Sequence, residues 1–508
     1  MTMISHVSKF LKSQYTYIFA KHGKEPQACT EENILTRPAA LEEACWVFNE
    51  VRMRYGVDIT ELSKTVKSPI IYPNSVEYNS ARFNYDKITN VFPAALVLVK
   101  NTCDVAATIA FARKHNIPFR VRSGKHAQVA ASVSNLAIII DMSTYNKVLK
   151  IEDNRLIVQV GALLGPLDEA LSEHDKIIPV GTCATNGLGG FTLGGGFGYF
   201  QRKYGLAIDS LRALTYVNAE GCVKRITKAD PEFAAFKGAG GNNFGVVTLF
   251  EFRTHTLKEA VAFSYYYDRK HAAEIFAKFQ DQSLWPRELT MEFDITADLP
   301  ILVPGVFLGS KEQAIRVLKP IEKLATRKEI EVLPLKALYQ WMSTGSYARA
   351  PFSSVRTTYI EKPLTAEAVD EIVKQVGVSG TSAVRTVSFL LTGGAIADVA
   401  SDATAFPYRD AICWCQIRDV WGNQFDERKE KSWVRQTLEV VSKSLVHYKG
   451  TVPLYVNFLD YNLDREHALH SYYRENVSWL RVIKQLLDPD NVFHFEQSIL
   501  PYQPDGEQ

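Results

Sequence analysis

No stretch of this chain reaches eighteen consecutive apolar residues, so the sequence offers no membrane-spanning helix. Charge of a single sign is missing as well. Lys and Arg total 58 against 56 for Asp and Glu, a formal charge of +2 with no basic stripe, which excludes a nucleic-acid binder built on phosphate contacts. Cysteine is scarce. The seven in 508 residues, at 29, 45, 103, 183, 222, 413 and 415, are odd in number and scattered, so they form no disulfide framework, and no Cys/His cluster has zinc spacing. Cys413 and Cys415 flank a Trp in an apolar run that reads as a strand, where alternate residues share a face; they are expected to be ordinary buried thiols. The N-terminus lacks the continuous apolar segment and small-residue cleavage site of a secretory signal, which predicts a cytoplasmic location. Internal repeats and low-complexity tracts are absent.

What is present is ordinary globular composition at a length that calls for two or three cores. Residues 1–70 read as a helix-leaning extension, with LEEACWVFNEVRMRYG its amphipathic stretch. Over 71–254, short strands (PAALVLVK, PFRVRSG, LAIIIDMS, RLIVQVGALLG, VVTLFEFRTH) alternate with helices and glycine loops. TCDVAATIAFARKHN reads as a helix capped by Thr102, DPEFAAFKG as one capped by Asp230, and LRALTYVNAEGCVKRI as a hairpin. Over 255–450 longer helices such as KEQAIRVLKPIEKLA and TAEAVDEIVKQVG alternate with strands such as VRTVSFLL and AICWCQIRDVW, predicting a sheet covered by helices. Residues 451–508 carry TVPLYVNFLD and then SYYRENVSWLRVIKQLL, read as one helix.

Three clusters carry chemistry. The densest runs from Gly187 through Gly189, Gly190, Gly194, Gly195 and Gly196 to Gly198, where backbone N–H groups can approach a phosphate closely. It is not a dinucleotide fingerprint: Thr192 stands where the third glycine belongs, and no long helix follows. The second is Arg122-Ser123-Gly124-Lys125-His126, a strand running into a small-residue turn. The third is Gly181-Thr182-Cys183, just ahead of the glycine loop.

In order and spacing these clusters resemble the berberine-bridge-enzyme-like branch of the vanillyl-alcohol-oxidase/p-cresol-methylhydroxylase superfamily. That family carries R-S-G-G-H, then G-x-C-P-x-V-G-x-G-G-H-x-x-G-G-G-[YF]-G, R-K-Y-G-L-A-x-D, G-G-G-N-F-G-V-V and a terminal Y-V-N…Y-x-x-N…D-P-x-N-x-F. Here they stand as RSGKH, GTCATNGLGGFTLGGGFG, RKYGLAIDS, GAGGNNFGVV, LYVNFLD, YYRENV and DPDNVFHFEQSI, over about residues 70–500.

The resemblance implies an α+β fold: a two-part FAD-binding domain of the p-cresol methylhydroxylase type (71–254, with 451–508 returning to it) and an inserted antiparallel-sheet substrate domain (255–450) covered by helices. It implies FAD bound covalently through His126 and Cys183, with Arg122, Ser123, Gly124, Lys125, Ser132, the glycines of 187–198, Asn243, Gly245, Val246, Tyr455 and Asn457 around it. For catalysis it implies Tyr455 as base toward a substrate hydroxyl while hydride leaves the adjacent carbon for flavin N5, assisted by Gln416 and Arg356. Bringing an unperturbed phenol from about 10 to about 7 takes roughly 4 kcal/mol of phenolate stabilisation, so polar partners are expected at Tyr455. The resemblance implies a small-molecule substrate, an oligosaccharide or a secondary metabolite, with molecular oxygen as the acceptor.

Four departures mark this chain: Lys125 replaces a glycine, Ala184 a proline, Asn186 the valine thought to gate oxygen, and Phe191 a histidine. Leu390 lies about where some sugar oxidases carry an Asp that assists the Tyr, which argues against a sugar oxidase of that kind. A dehydrogenase using another acceptor and a catalytically decayed flavin-binding protein stand as alternatives.

Overall fold

The computed structural model describes residues 39–84, 90–129, 131–344, 352–377, 383–421, 424–445 and 448–503. The amphipathic N-terminal stretch forms the helix Ala39–Tyr55, with Val47 and Val51 buried; the rest of the extension, residues 1–38 with Cys29, lies outside the described residues.

Three sheets follow. Strands β1 (Ile70–Ile71), β2 (Ala95–Leu98), β3 (Phe119–Arg122) and β4 (Ile138–Asp141) form the first, in the order β1-β2-β4-β3, parallel except at β1. Its interior strands are apolar apart from Asp141 at the end of β4, as expected where both faces are covered. The helix Thr102–His115 links β2 to β3. Its cap is Asn101, whose side chain accepts from Asp104 N, so Thr102 is the first helical residue and not the cap. The helix ends on Asn116 in the left-handed region.

The second sheet has the order β5-β6-β10-β8-β9 (Val148–Glu152, Arg155–Gln159, Val246–Arg253, Leu211–Val217, Val223–Thr227), all antiparallel, with β8 and β9 as the expected hairpin. The segment expected as a helix capped by Asp230 is a single 3-10 turn, Pro231–Ala234. The Asp230 carboxylate turns back to accept from Thr227 N and Oγ1 instead of capping. Lys176–Ile177 (β7) and His255–Thr256 (β11) form a small ribbon.

The third sheet has seven antiparallel strands: β12 (Glu259–Tyr267), β13 (Leu289–Thr296), β14 (Ile301–Phe307), β15 (Arg327–Pro334), β16 (Phe352–Ile360), β17 (Val384–Leu391) and β18 (Cys413–Trp421), in the order β15-β12-β14-β13-β17-β18-β16. Strand alternation sorts its residues. Phe293, Ile295, Val387, Phe389, Cys413, Cys415 and Ile417 are buried in one core with Phe276, Phe279, Ile372 and Val434 of the covering helices. The intervening residues, among them Asp294, Ser388, Trp414, Gln416 and Arg418, face a cleft on the other side. The two thiols are buried as expected.

The tail does not form one helix over 471–487. It makes Arg465–Tyr473, a 3-10 turn Arg474–Asn476 and Val477–Leu487. Arg474 adopts φ 51, breaking the helix, while its guanidinium pairs with Glu361 and lies over the Tyr408 ring. Among the described residues no helix is long and apolar enough to cross a membrane.

Candidate active site

Between the glycine loops and the seven-stranded sheet lies a cleft of about 880 Å³, within the range of small-molecule sites. Its floor is built where two loops cross. A Cβ on Gly124 would fall 2.1 Å from Gly187 N, and one on Gly187 would fall 2.2 Å from Gly124 N, so neither position tolerates a side chain. Gly190 and Gly241 have nothing within 4 Å of an added Cβ although both line the cleft. These glycines leave an open cradle.

Arg122 ends β3 and pairs with Asp141 at the end of β4 at 2.7 Å, both side chains fully buried. One guanidinium nitrogen, Nη1, stays buried without a partner, as does Ser123 Oγ. Lys125 adopts φ 62, the left-handed region where the family carries glycine, and its ammonium stands 4.0 Å from Asp141. Burial, then the Arg122 charge, lowers the Lys125 pKa.

His126 and Cys183 come from different loops and meet at one hydroxyl. His126 Nε2 lies 2.9 Å from Thr185 Oγ1, and Cys183 Sγ lies 3.4 Å from the same oxygen. Burial, reinforced by Arg418, pushes the imidazole down to about 4, so it is neutral at physiological pH. Ser132 lines the cleft beside Asn84, whose Nδ2 donates to it.

Opposite stands Tyr455, buried in a turn. Its hydroxyl accepts from Gly196 N at 3.4 Å and from Asn457 Nδ2 at 2.9 Å, and Asn457 Nδ2 also lies 2.9 Å from the Gly190 carbonyl. The ring packs on Phe197 and Trp414, with centroids 5.0 and 6.0 Å away. Contrary to the expected lowering, burial raises the Tyr455 phenol well above its ordinary value, against the opposing effect of its two donors. Gln416 lines the cleft, in register with Ser388 and Thr357.

Several expected residues lie elsewhere. Arg356 is not in the cleft lining; it pairs with Asp460 at 3.0 Å, because on β16 it alternates with the cleft-facing Val355. Asn243 is buried behind the cleft, its Oδ1 accepting from Ile499 N, and Asn242, at φ 64, lines the cleft in its place. Gly194, Gly195 and Gly196 sit outside the lining and make room for Asn457, Phe406 and Ala207, whereas Gly187, Gly189, Gly190, Gly198, Gly245 and Val246 line it. Sequence reasoning missed Thr185, Asn242, Arg418, Glu292 and Asp294. The alternation of LTMEFDIT was the available sign for the last two.

A model of an FAD binding domain matches residues 93–227, and one described as berberine and berberine like matches 454–500. The FAD-linked oxidoreductase YvdP of Bacillus subtilis is 32% identical over 456 residues, which is 85% of this chain and 98% of that one. This chain belongs to the berberine-bridge-enzyme-like FAD-linked oxidoreductases. Its fold agrees: Physcomitrella patens BBE-like 1 superposes with a TM-score of 0.79 at 24% identity, covering 88% of this chain and all of that one. The glucooligosaccharide oxidase of Acremonium strictum, described with a 6-S-cysteinyl, 8α-N1-histidyl FAD, gives 0.79 at 21% identity, covering 87% and 99%.

The residues present fit FAD. The open cradle at Gly190 and Gly241, the unpartnered Ser123 Oγ and Arg122 Nη1, and the Lys125 ammonium are what an anionic dinucleotide needs. The family's histidine position, Phe191, lines the cleft with an apolar ring instead.

Proposed function

We propose that this chain is an oxidase that holds FAD through His126 and Cys183 and oxidises an alcohol or amine carbon of a small organic substrate, with oxygen as acceptor. The observation that carries the reading is the convergence of His126 Nε2 and Cys183 Sγ on Thr185 Oγ1, at 2.9 and 3.4 Å, within one cleft. An imidazole kept neutral by burial retains the nitrogen lone pair that the first link requires. When bound, FAD supplies the two-electron acceptor that no side chain provides.

The chain's own residues hold and orient the substrate. Tyr455 remains a protonated phenol, and its oxygen already accepts from Gly196 and Asn457, so its proton is available to a substrate oxygen. It orients the substrate oxygen as a hydrogen-bond donor, and the proton that an alcohol gives up as hydride leaves its carbon would pass to solvent in the cleft. Gln416 offers an amide on the facing sheet, and the rings of Phe197 and Trp414 exclude water from this end. Arg356, removed from the cleft by strand alternation, supports this site only by holding Asp460.

The test is acid denaturation of the purified protein and of its His126→Ala and Cys183→Ala variants. Yellow colour should stay with the pellet in the wild type and in each single variant, and leave it in the double variant. Colour released by the wild type would sink the double link. One observation favours a second reading: Asn186, polar, lines the cleft at the position taken to gate oxygen. Under it, the reduced protein would reoxidise slowly in air and rapidly with a dye acceptor.

A further inference from the structure

The cleft face of β13 carries two carboxyl groups, Glu292 and Asp294, on alternate positions of one strand. Each stands near one neutral hydroxyl: Tyr199, next to the glycine loop, by Glu292, and Ser388 by Asp294, which it opposes in register. Asp294 Oδ1 is buried with no partner. Among the described residues, no Lys or Arg stands among the groups that act on either carboxyl. The cations sharing the cleft are placed elsewhere. Arg418 lies one row away, opposite Thr386, and Arg327, on the outer strand, pairs with Glu329 and covers Tyr266. Lys125 stands by Asp141, and His126 is neutral.

Register sets the distance to the chemistry. Glu292 opposes Leu390, and Leu390 opposes Trp414, so two strand spacings, about 10 Å, separate Glu292 from the Trp that packs on Tyr455. The apolar Leu390 and Trp414 bridge the gap.

Two half-buried carboxyls with no described cation beside them constitute an unmet demand for positive charge, since withdrawing an unpaired ion from water is costly and an opposite charge relieves it. A substrate hydroxyl would add only a neutral donor and leave that charge uncompensated. Resting on the reading of this cleft as the substrate site, we propose that Glu292 and Asp294 receive a positively charged nitrogen of the substrate, roughly 10–15 Å from the carbon oxidised beside Tyr455. The substrate class is an organic ammonium that carries an alcohol at its far end. Burial holds the Glu292 pKa at about 8 and the Asp294 pKa at about 6, so near neutrality the pair keeps about one proton. Binding of the ammonium expels it to solvent.

The test is calorimetric titration of the flavin-loaded protein at neutral pH with aminooctanol, octanediol and octanol, whose chains span that gap. The experiment is done in two buffers of different ionisation enthalpy, with flavin absorbance recorded throughout. Aminooctanol should bind about tenfold or more tighter than either alcohol and release close to one proton. Glu292→Gln and Asp294→Asn, with unchanged flavin spectra, should each lower that preference and abolish the proton release. Equal or tighter binding of octanediol, binding without proton release, or no binding of aminooctanol to the wild type would each overturn the proposal. Bleaching of the flavin reports separately on the oxidation. Tight, proton-releasing binding without bleaching would count against the proposed reaction and leave the ammonium site standing.

Discussion

Tyr455 shows how far a residue's chemistry depends on what surrounds it. The motif places a phenol at the site, but burial in a nest of aromatic rings keeps it protonated. Tyr455→Phe removes the proton offered to the substrate while keeping the packing. Flavin reduction by an accepted substrate should slow by about 10²-fold through loss of that orientation, with the flavin spectrum unchanged, in anaerobic stopped flow. The carboxyl pair gives a second prediction, on stability. Its folded pKa values, about 8 and about 6, lie above the ordinary carboxylate range, so the folded state retains protons that the unfolded chain releases. Stability from this pair is therefore fully present below about pH 4 and is lost as pH rises through about 6 to about 8. The melting temperature should fall between about pH 5 and about pH 9 more steeply in the wild type than in the Glu292→Gln/Asp294→Asn double variant, as calorimetry would show. Both carboxyls escaped the sequence reading because a Glu and an Asp alternating with apolar residues look the same on a solvated face as on a cleft.

At the level of elements, the glycines divide by what a Cβ would meet. Gly124→Ala drives a methyl group into Gly187 N, where the two loops cross, and should destabilise the protein by about 3 kcal/mol or more in denaturant titration. Gly190→Ala meets nothing and should leave stability within about 0.5 kcal/mol, yet weaken flavin retention because its methyl group enters the cradle. The glycine-rich signature was legible, but this division was not: Gly194, Gly195 and Gly196 read like their neighbours and turn out to accommodate other chains of the fold. Strands were read well because their apolar runs are local. Caps and breaks were read less well. Asn101 takes the cap from Thr102, and Arg474 leaves the helical region while its side chain serves Glu361 and Tyr408, a tertiary contact with no local trace.

The whole molecule is tied together through its C-terminal segment. Fully buried Lys484 donates to the carbonyls of Asn243 and Phe493 and to Asp488, fixing the last helix to the loop that supplies Asn242 to the cleft. Lys484→Met leaves the Asp488 carboxylate buried and unpaired, which should cost about 3–5 kcal/mol in equilibrium unfolding and loosen flavin retention as well. The sequence by itself determined the family, the α+β class, the glycine loops and the two residues proposed to hold the flavin, since each depends on local spacing and composition. Only the tertiary structure decided that Arg356 faces away from the cleft, that Thr185 joins His126 to Cys183, and that Glu292 and Asp294 line the same cleft as Tyr455. Those relations depend on strand register and loop crossing between residues far apart in the chain, and pairwise distances of that kind are set by packing rather than by any neighbour in sequence.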